Sequence, residues 1–236
     1  MLDWIADNGI AAALILVTLA VIVMSFAATR AMVPVSRAID GLSVAVGKTV
    51  MWFVLAAVLV STYNAIQRYV FSVSSNAWLE IQWYLYGAVF LLAAAYTLQR
   101  NEHIRIDVLA STLSARTRSW IDLFGHLVFL TPFCILIVHL SIDWVTLSYT
   151  RNEVSDNAGG LIRWPAKLLV PIGFALLYAQ AMSEIVKRVA VLRGVIEDPN
   201  VGHDAQTAIV EGAVAMEDSH GAPVVDVEDR KPGAPS

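Results

Sequence analysis

Five long apolar segments restrict the fold of this chain more than any other feature. A helix needs about 20 apolar residues to cross hydrocarbon roughly 30 Å thick, and four of the segments have close to that length. None of the five contains Asp, Glu, Lys or Arg, and only 15% of the whole chain is charged. The segments are Asn8 to Thr29, Thr49 to Gln67, Ile81 to Gln99, Leu123 to Ile142 and Leu168 to Ser183.

This pattern predicts an all-α integral membrane protein, a bundle of five transmembrane helices with short interfacial helices between them. A mean hydropathy of +0.63 agrees with that class. Strict two-residue alternation, the mark of a membrane barrel, is missing from all five segments. The fifth segment is short, so we expect Lys167, Glu184 and Lys187 to extend towards the membrane interfaces from its ends.

The first segment is predicted to be a retained helix rather than a removable signal peptide. Signal peptides begin with a basic region, whereas Met1 to Asn8 contains Asp3 and Asp7 and no Lys or Arg. Ser25-Phe26-Ala27 resembles a cleavage pattern, which leaves removal as the alternative. The segment has no ionisable group, so we expect a plain anchor that faces lipid all round.

Basic residues predict the orientation, because short cytoplasmic segments are enriched in Lys and Arg. Alternate connections hold twelve basic residues on one side and four on the other. The side with twelve includes the carboxyl terminus. We therefore expect the amino terminus outside and the carboxyl terminus inside.

Four regions follow from this layout. Residues 1–29 form the extra amino-terminal helix, 30–48 an inner interfacial connection, 49–190 a four-helix membrane domain, and 191–236 a tail. The connection contains Pro34 and then Val35, Ile39, Leu42, Val44 and Val46 among polar residues, which predicts a short amphipathic helix in the inner interface. From Glu197 the tail has nine acidic and two basic residues, a composition typical of a disordered cytoplasmic segment.

A dense polar stretch, Asn101 to Asp107, lies between the third and fourth apolar segments. Its charged groups would each cost several kcal/mol in hydrocarbon unless paired or hydrated, so it must lie at a membrane surface. Alternation puts His103, Arg105 and Asp107 on one face. These three are candidate contacts to a partner subunit.

Further interface candidates lie at the other ends of the spans. Asn64 and Arg68 are four residues apart and share a helix face, which is consistent with a snorkelling arginine or with a polar contact to a neighbouring membrane subunit. Glu80 opens the third helix, where the helix dipole favours a carboxylate and where a salt link to Arg68 is equally possible. Gly87 would allow another helix to approach closely.

The long polar connection from Trp144 to Trp164 is the candidate surface for a soluble partner outside the membrane. Connections of this length are often functional, and Arg151, Glu153 and Asp156 supply its charge. In the fourth span, Pro132 should kink the helix by removing a backbone donor. We expect His126 and His139 there to form interhelical hydrogen bonds rather than to bind haem, because no other span offers a second histidine.

Several kinds of function lack a sequence signal. The single cysteine, Cys134, rules out an internal disulfide, and no phosphate-binding loop, HExxH, nucleophile elbow or basic stripe for nucleic acid is found. No catalytic residue, cofactor or metal is therefore predicted. Nearly charge-free spans without an inverted repeat favour a scaffold that packs against another membrane protein. The alternatives are a membrane anchor of a redox complex and a free-standing small transporter.

Residues 48–187 resemble a known family. Arg68-Tyr69-Val70-Phe71, Trp78-Leu79-Glu80 and His103-Ile104-Arg105-Ile106-Asp107 occur in the order found in the small membrane subunit, DctQ, of tripartite ATP-independent periplasmic (TRAP) transporters. The resemblance implies a bacterial inner-membrane scaffold, not an enzyme. It also implies a large, DctM-like membrane subunit that moves substrate with sodium, and a periplasmic binding protein that delivers the substrate, often an organic acid. That family commonly has four spans, so the first helix and the acidic tail are additions.

Overall fold

The computed structural model describes residues 9–73, 75–100 and 114–197. Five segments are long and apolar enough to cross a membrane, which confirms the predicted all-α bundle of five spans. A π-helical turn, His126–Leu130, joins α4 to α5 within one span. The helices are α1 Gly9–Ala27, α2 Thr29–Val70, α3 Asn76–Arg100, α4 Ala115–Gly125, α5 Thr131–Thr150 and α6 Trp164–Leu192.

The last helix, α6, forms the centre of the bundle. In its most apolar stretch 56% of the residues are buried, against 17–28% in the other four spans, and it packs against each of the other helices. Its predicted bounds, Leu168 to Ser183, were too short at both ends. Charged residues were taken as its limits, whereas Glu184 and Arg188 are buried inside it.

The inner connection and the second span are one helix of 42 residues, α2. The predicted short, separate helix over 30–48 is therefore wrong, because this stretch continues without a break into the second span. Pro34 lies near the amino end of α2, where it removes a single backbone hydrogen bond. The stretch is amphipathic, with Val35 and Leu42 on the outside of the bundle and Ser36 and Ser43 buried against it.

The first helix, α1, packs against the bundle rather than facing lipid all round. Its buried residues, Ala11, Thr18 and Ser25, recur every seven positions and are small, which allows close helix approach. The Tyr178 hydroxyl of α6 donates to the Leu14 carbonyl oxygen at 2.8 Å and lies 2.9 Å from the Thr18 hydroxyl. The expectation of a plain lipid-facing anchor was wrong.

The disturbance predicted at Pro132 takes the form of the π-helical turn just before it. The Thr131 amide donates to the His126 carbonyl oxygen five residues earlier, and the Thr131 hydroxyl donates to the same oxygen at 2.7 Å. His126 Nδ1 lies 2.6 Å from the Asp122 carbonyl oxygen of its own helix, so the predicted interhelical bond of His126 was wrong. For His139 Nδ1, the described residues supply no partner.

Two glycines allow close helix packing in the core. A Cβ added at Gly173 of α6 would lie 2.8 Å from the Leu91 carbonyl oxygen of α3, far inside normal contact. A Cβ at Gly47 of α2 would lie 2.5 Å from the Tyr96 ring. Around Gly87, by contrast, nothing lies within 4 Å of an added Cβ. Gly87 therefore has no role in the packing of the described helices.

We expect Gly173→Ala to destabilise the bundle by about 1–3 kcal/mol, the usual cost of overpacking a core, because backbone atoms of α3 cannot move aside freely. Gly87→Ala is the matched control and should be neutral or stabilising by up to about 1 kcal/mol through helix propensity. Thermal unfolding of both variants in detergent micelles measures the difference. Equal unfolding temperatures would contradict the close contact of α3 and α6.

Candidate functional site

The first polar site, the loop clamp, consists of Glu80 on α3 and the three residues that bind it in the connection after α5. Leu161 donates its backbone N–H to Glu80 Oε2 at 2.6 Å. Asn157 Nδ2 donates to Oε1 at 2.9 Å, and the Ser155 hydroxyl donates to the same oxygen. The carboxylate is buried, and hydrogen bonds from these three donors replace its contacts with water.

The connection itself is ordered by backbone pairing. Val154 and Ile162 form an isolated antiparallel bridge, and the Ser155 amide donates to the Leu161 carbonyl oxygen at 2.9 Å. Gly159 has φ = 71°, a left-handed conformation that favours glycine. At Gly160 an added Cβ would come within 2.9 Å of Glu80 Oε1. The two glycines thus let the loop fold back onto the carboxylate.

Residues on either side of Glu80 also hold the loop. Asn76 and Tyr84 lie one turn before and one turn after it, on the same face of α3. The Asn76 side-chain amide donates to the Ala158 carbonyl oxygen at 3.0 Å, and the Tyr84 hydroxyl donates to the Ile162 carbonyl oxygen at 3.3 Å. One face of α3 therefore positions the whole connection.

A second group of charges ties the connection to the start of α6. Glu153 pairs with Lys167 and lies 3.7 Å from Arg163. The hydrogen bond from the Lys167 ammonium, aided by the Arg163 charge, holds the pKa of the Glu153 carboxyl below its usual value. Lys167 also lies 4.5 Å from the centre of the Trp144 ring. Asp156 pairs with Arg163 at 3.1 Å but is 91% exposed.

The predicted interface residues at this end are not brought together into one site. Glu80 binds the loop and not Arg68, which is exposed and has no ion-pair partner among the described residues. Arg151 and Asp156 are exposed, whereas Glu153 is engaged by Lys167. The stretch with His103, Arg105 and Asp107 lies outside the described residues.

A second polar site, the Asp40 cluster, lies between α2 and α6 at the opposite end of the bundle from the loop. Asp40 Oδ1 accepts hydrogen bonds from Gln180 and from the Ser183 hydroxyl, each at 2.8 Å. Lys187 lies 3.2 Å from the other oxygen of Asp40 and 2.5 Å from Glu184. Its members are Asp40, Ser43, Gln180, Ser183, Glu184 and Lys187.

The side chains of the Asp40 cluster also supply hydrogen-bond donors and acceptors to one another. Gln180 donates to Glu184 at 3.0 Å and accepts from the Ser43 hydroxyl at 2.7 Å. Nearby on α6, Arg188 pairs with Asp122 of α4 at 3.3 Å. Pairing of this kind is what burial of charged groups requires. Together these contacts hold α2 and α4 against α6.

Sequence reasoning missed the Asp40 cluster, although a signal was present. Ser36, Asp40 and Ser43 repeat at helical spacing, and so do Gln180, Glu184 and Lys187. The first set was assigned to a surface connection and the second to a span end. Treating both stretches as continuous membrane helices would have revealed two polar faces that need each other.

Outside these two sites, the surface of α3 is strongly apolar. Trp83 and Phe90 are 73% and 78% exposed, and the open space at Gly87 lies between them on neighbouring turns. Such a face suits either lipid or another membrane helix. Asn64 on α2 is partly exposed and adds a polar group to the surface of the bundle.

Residues 57–191 match a family described as "Tripartite ATP-independent periplasmic transporters, DctQ component". The chain belongs to this family. DctQ proteins are components of a transporter that work with other TRAP subunits, and this member is a multi-pass membrane protein. Comparisons with curated proteins and with solved structures found no match.

The matched range contains the whole of one polar site and only part of the other. All of the loop clamp lies within residues 57–191. The Asp40 cluster crosses the boundary, because its α6 members are inside the match and Asp40 is outside it. Helix α1 and the first 28 residues of α2 also lie outside. In this protein the unmatched part is therefore bonded to the matched part through Asp40.

We expect Glu80→Gln to release the connection over 151–163. The glutamine side chain keeps one acceptor oxygen, but its NH2 group faces loop groups that are themselves donors. It also loses the negative charge that strengthens the hydrogen bonds to Glu80. Hydrogen exchange followed by mass spectrometry should show much faster exchange in that segment. Asp156→Asn is the control, because an exposed pair contributes only about 0–1 kcal/mol. Unchanged exchange in Glu80→Gln would contradict the clamp.

We expect Lys187→Met to destabilise the bundle by about 3 kcal/mol, because it leaves two largely buried carboxylates without their cation. Lys48→Met, on an exposed position of α2, should stay within about 0.5 kcal/mol of the parent protein. The double variant Asp40→Asn, Lys187→Met should recover part of the loss, since one uncompensated charge is gone. Thermal unfolding in detergent measures all three, and additive losses in the double variant would refute the pairing.

Proposed function

We propose that this DctQ protein is the scaffold subunit of its transporter, holding a larger membrane subunit that carries the solute. The observation behind the proposal is how the buried charges are used. Among the described residues the buried charged side chains are Glu80, Glu184 and Arg188, and each is bound within the chain. Side chains bound in this way serve packing rather than the coordination of a solute.

The large subunit is proposed to pack against the exposed face of α3. Open space at Gly87 lets a helix approach closely there, and Trp83 and Phe90 offer contact area on both sides of it. Asn64 and Arg68 on α2 would add polar contacts near the loop end. A polar side chain facing lipid gains by finding a partner on another helix.

At the other end of the bundle, His103, Arg105 and Asp107 are proposed to bind the same subunit. The support comes from the sequence, in which these side chains alternate with isoleucines and share one face. A basic and an acidic group in one row can pair with complementary charges on a partner.

The loop end is proposed to face the periplasm, in a bacterial inner membrane. The amino terminus of the chain would then lie outside and the carboxyl terminus inside. The unequal distribution of basic residues supports this orientation. Arg151 and Asp156, which are exposed, and Glu153 beside them would then meet a periplasmic binding protein. We further propose sodium-coupled uptake of an organic acid by the assembled transporter.

Gly87→Leu tests the proposed contact on α3. The variant should leave this subunit folded, because the site is open, but should lower co-purification of the large subunit. Overpacking costs about 1–3 kcal/mol, or roughly 5- to 150-fold in binding. Gly41→Leu, at an equally open position of α2, should leave recovery unchanged. Equal recovery of both variants would exclude this face as the interface.

The same co-purification assay applies to the double variant Arg105→Ala, Asp107→Ala, which should also reduce recovery of the large subunit.

Reconstitution into liposomes then separates a scaffold from a carrier. This chain alone should accumulate no labelled solute, and uptake should appear when the large subunit and the binding protein are added. Accumulation by this chain alone would overturn the scaffold proposal.

A further inference from the structure

A basic cavity lies where α1 turns into α2, beside the end of α6. Its volume is about 470 Å³, and its walls carry Arg30 and Arg193. None of the described residues that line it is acidic. The lining residues are Ala27, Ala28, Thr29, Arg30, Ala31, Arg193 and Val195.

The two arginines differ in how they are held. Arg193 donates to the Phe26 carbonyl oxygen and, at 3.0 Å, to the Thr29 hydroxyl, so its position is set by the ends of α1 and α2. Arg30 is exposed and has no ion-pair partner among the described residues. One fixed guanidinium and one adjustable guanidinium therefore line a cavity that has no acidic side chain among its described lining residues.

The backbone contributes dipoles of both signs, because the carboxyl ends of α1 and α6 border the cavity as well. The positive end is that of α2, which starts at Thr29, where Ala28 makes no side-chain capping bond. The positive charge of the cavity therefore comes from its two arginines. Three alanines line the cavity and keep its mouth wide. Two guanidinium groups in one cavity suit an anion, and Arg side chains bind phosphate in a two-pronged geometry.

The surroundings distinguish a lipid from a soluble anion. Val23, Met24 and Phe26 on α1 are all substantially exposed, and Val195 lines the cavity. An apolar surface thus leads from the cavity along α1, the path that the acyl chains of a lipid would follow. Basic pockets between transmembrane helices commonly bind anionic head groups.

We propose that this cavity binds the phosphate group of an anionic phospholipid, with Arg30 and Arg193 as its ligands and the acyl chains against α1. The site depends on α1 and on the amino end of α2, which lie outside the DctQ match. It is therefore independent of the scaffold proposal. Its role would be to fasten the additional helix to the membrane surface.

Native mass spectrometry of the purified full-length chain with dioleoyl phosphatidylglycerol tests the site. Arg30→Gln should weaken retention of the lipid about tenfold, because one charge-assisted phosphate contact is lost. Arg37→Gln is the matched control, an exposed arginine two turns further along α2 and outside the cavity. Ala31→Leu should also weaken retention, because it fills the cavity without changing the charge.

Two further probes separate the possible ligands. Phosphatidylcholine should be retained far less than phosphatidylglycerol, and inorganic phosphate should not raise the unfolding temperature as phosphatidylglycerol does. Equal loss of lipid in Arg30→Gln and Arg37→Gln, equal retention of the two lipids, or equal stabilisation by inorganic phosphate would each overturn the proposal. Arg193 is left unchanged because it also holds α1.

Discussion

The bundle depends on the pairing of charged side chains that lie largely out of water. Removing one ion from water costs several kcal/mol even after relaxation, so a helix such as α6 can carry Glu184, Lys187 and Arg188 only if neighbouring helices supply partners. Asp40 of α2 and Asp122 of α4 do so. The positions of these helices are thereby fixed relative to α6. Apolar packing alone would not select them, because lipid tails offer a helix the same environment as another apolar helix.

At the loop end, a single buried carboxylate likewise requires partners from another part of the chain. Glu80 accepts hydrogen bonds from three donors of the connection after α5 and so holds that connection against α3. The two polar sites therefore close the bundle at opposite ends, and the surface between them stays apolar. This division suits the proposed scaffold, which would gain from rigid ends and from a flank, such as the one around Gly87, that is open for packing.

Some features were predicted correctly because one local property decides them. Uncharged runs of about 20 residues identify the five spans. Glu80 was selected as an interface candidate, but the salt link to Arg68, one of the two roles considered for it, does not form. Arg68 is near it in sequence, whereas Leu161 comes 81 residues later. Distances of that kind are set by packing, which a single sequence does not encode in any local pattern.

The sequence by itself determined the class of the protein, the number of spans and the motifs that mark a DctQ chain, because each follows from hydrophobicity or from residues close together. Only the tertiary structure decided which way the polar faces point. Ser36, Asp40 and Ser43 have the spacing of an interfacial helix, and only the presence of a complementary face on α6 turns them inwards. A polar stripe faces whichever surface can satisfy it, and that surface is supplied by another part of the chain.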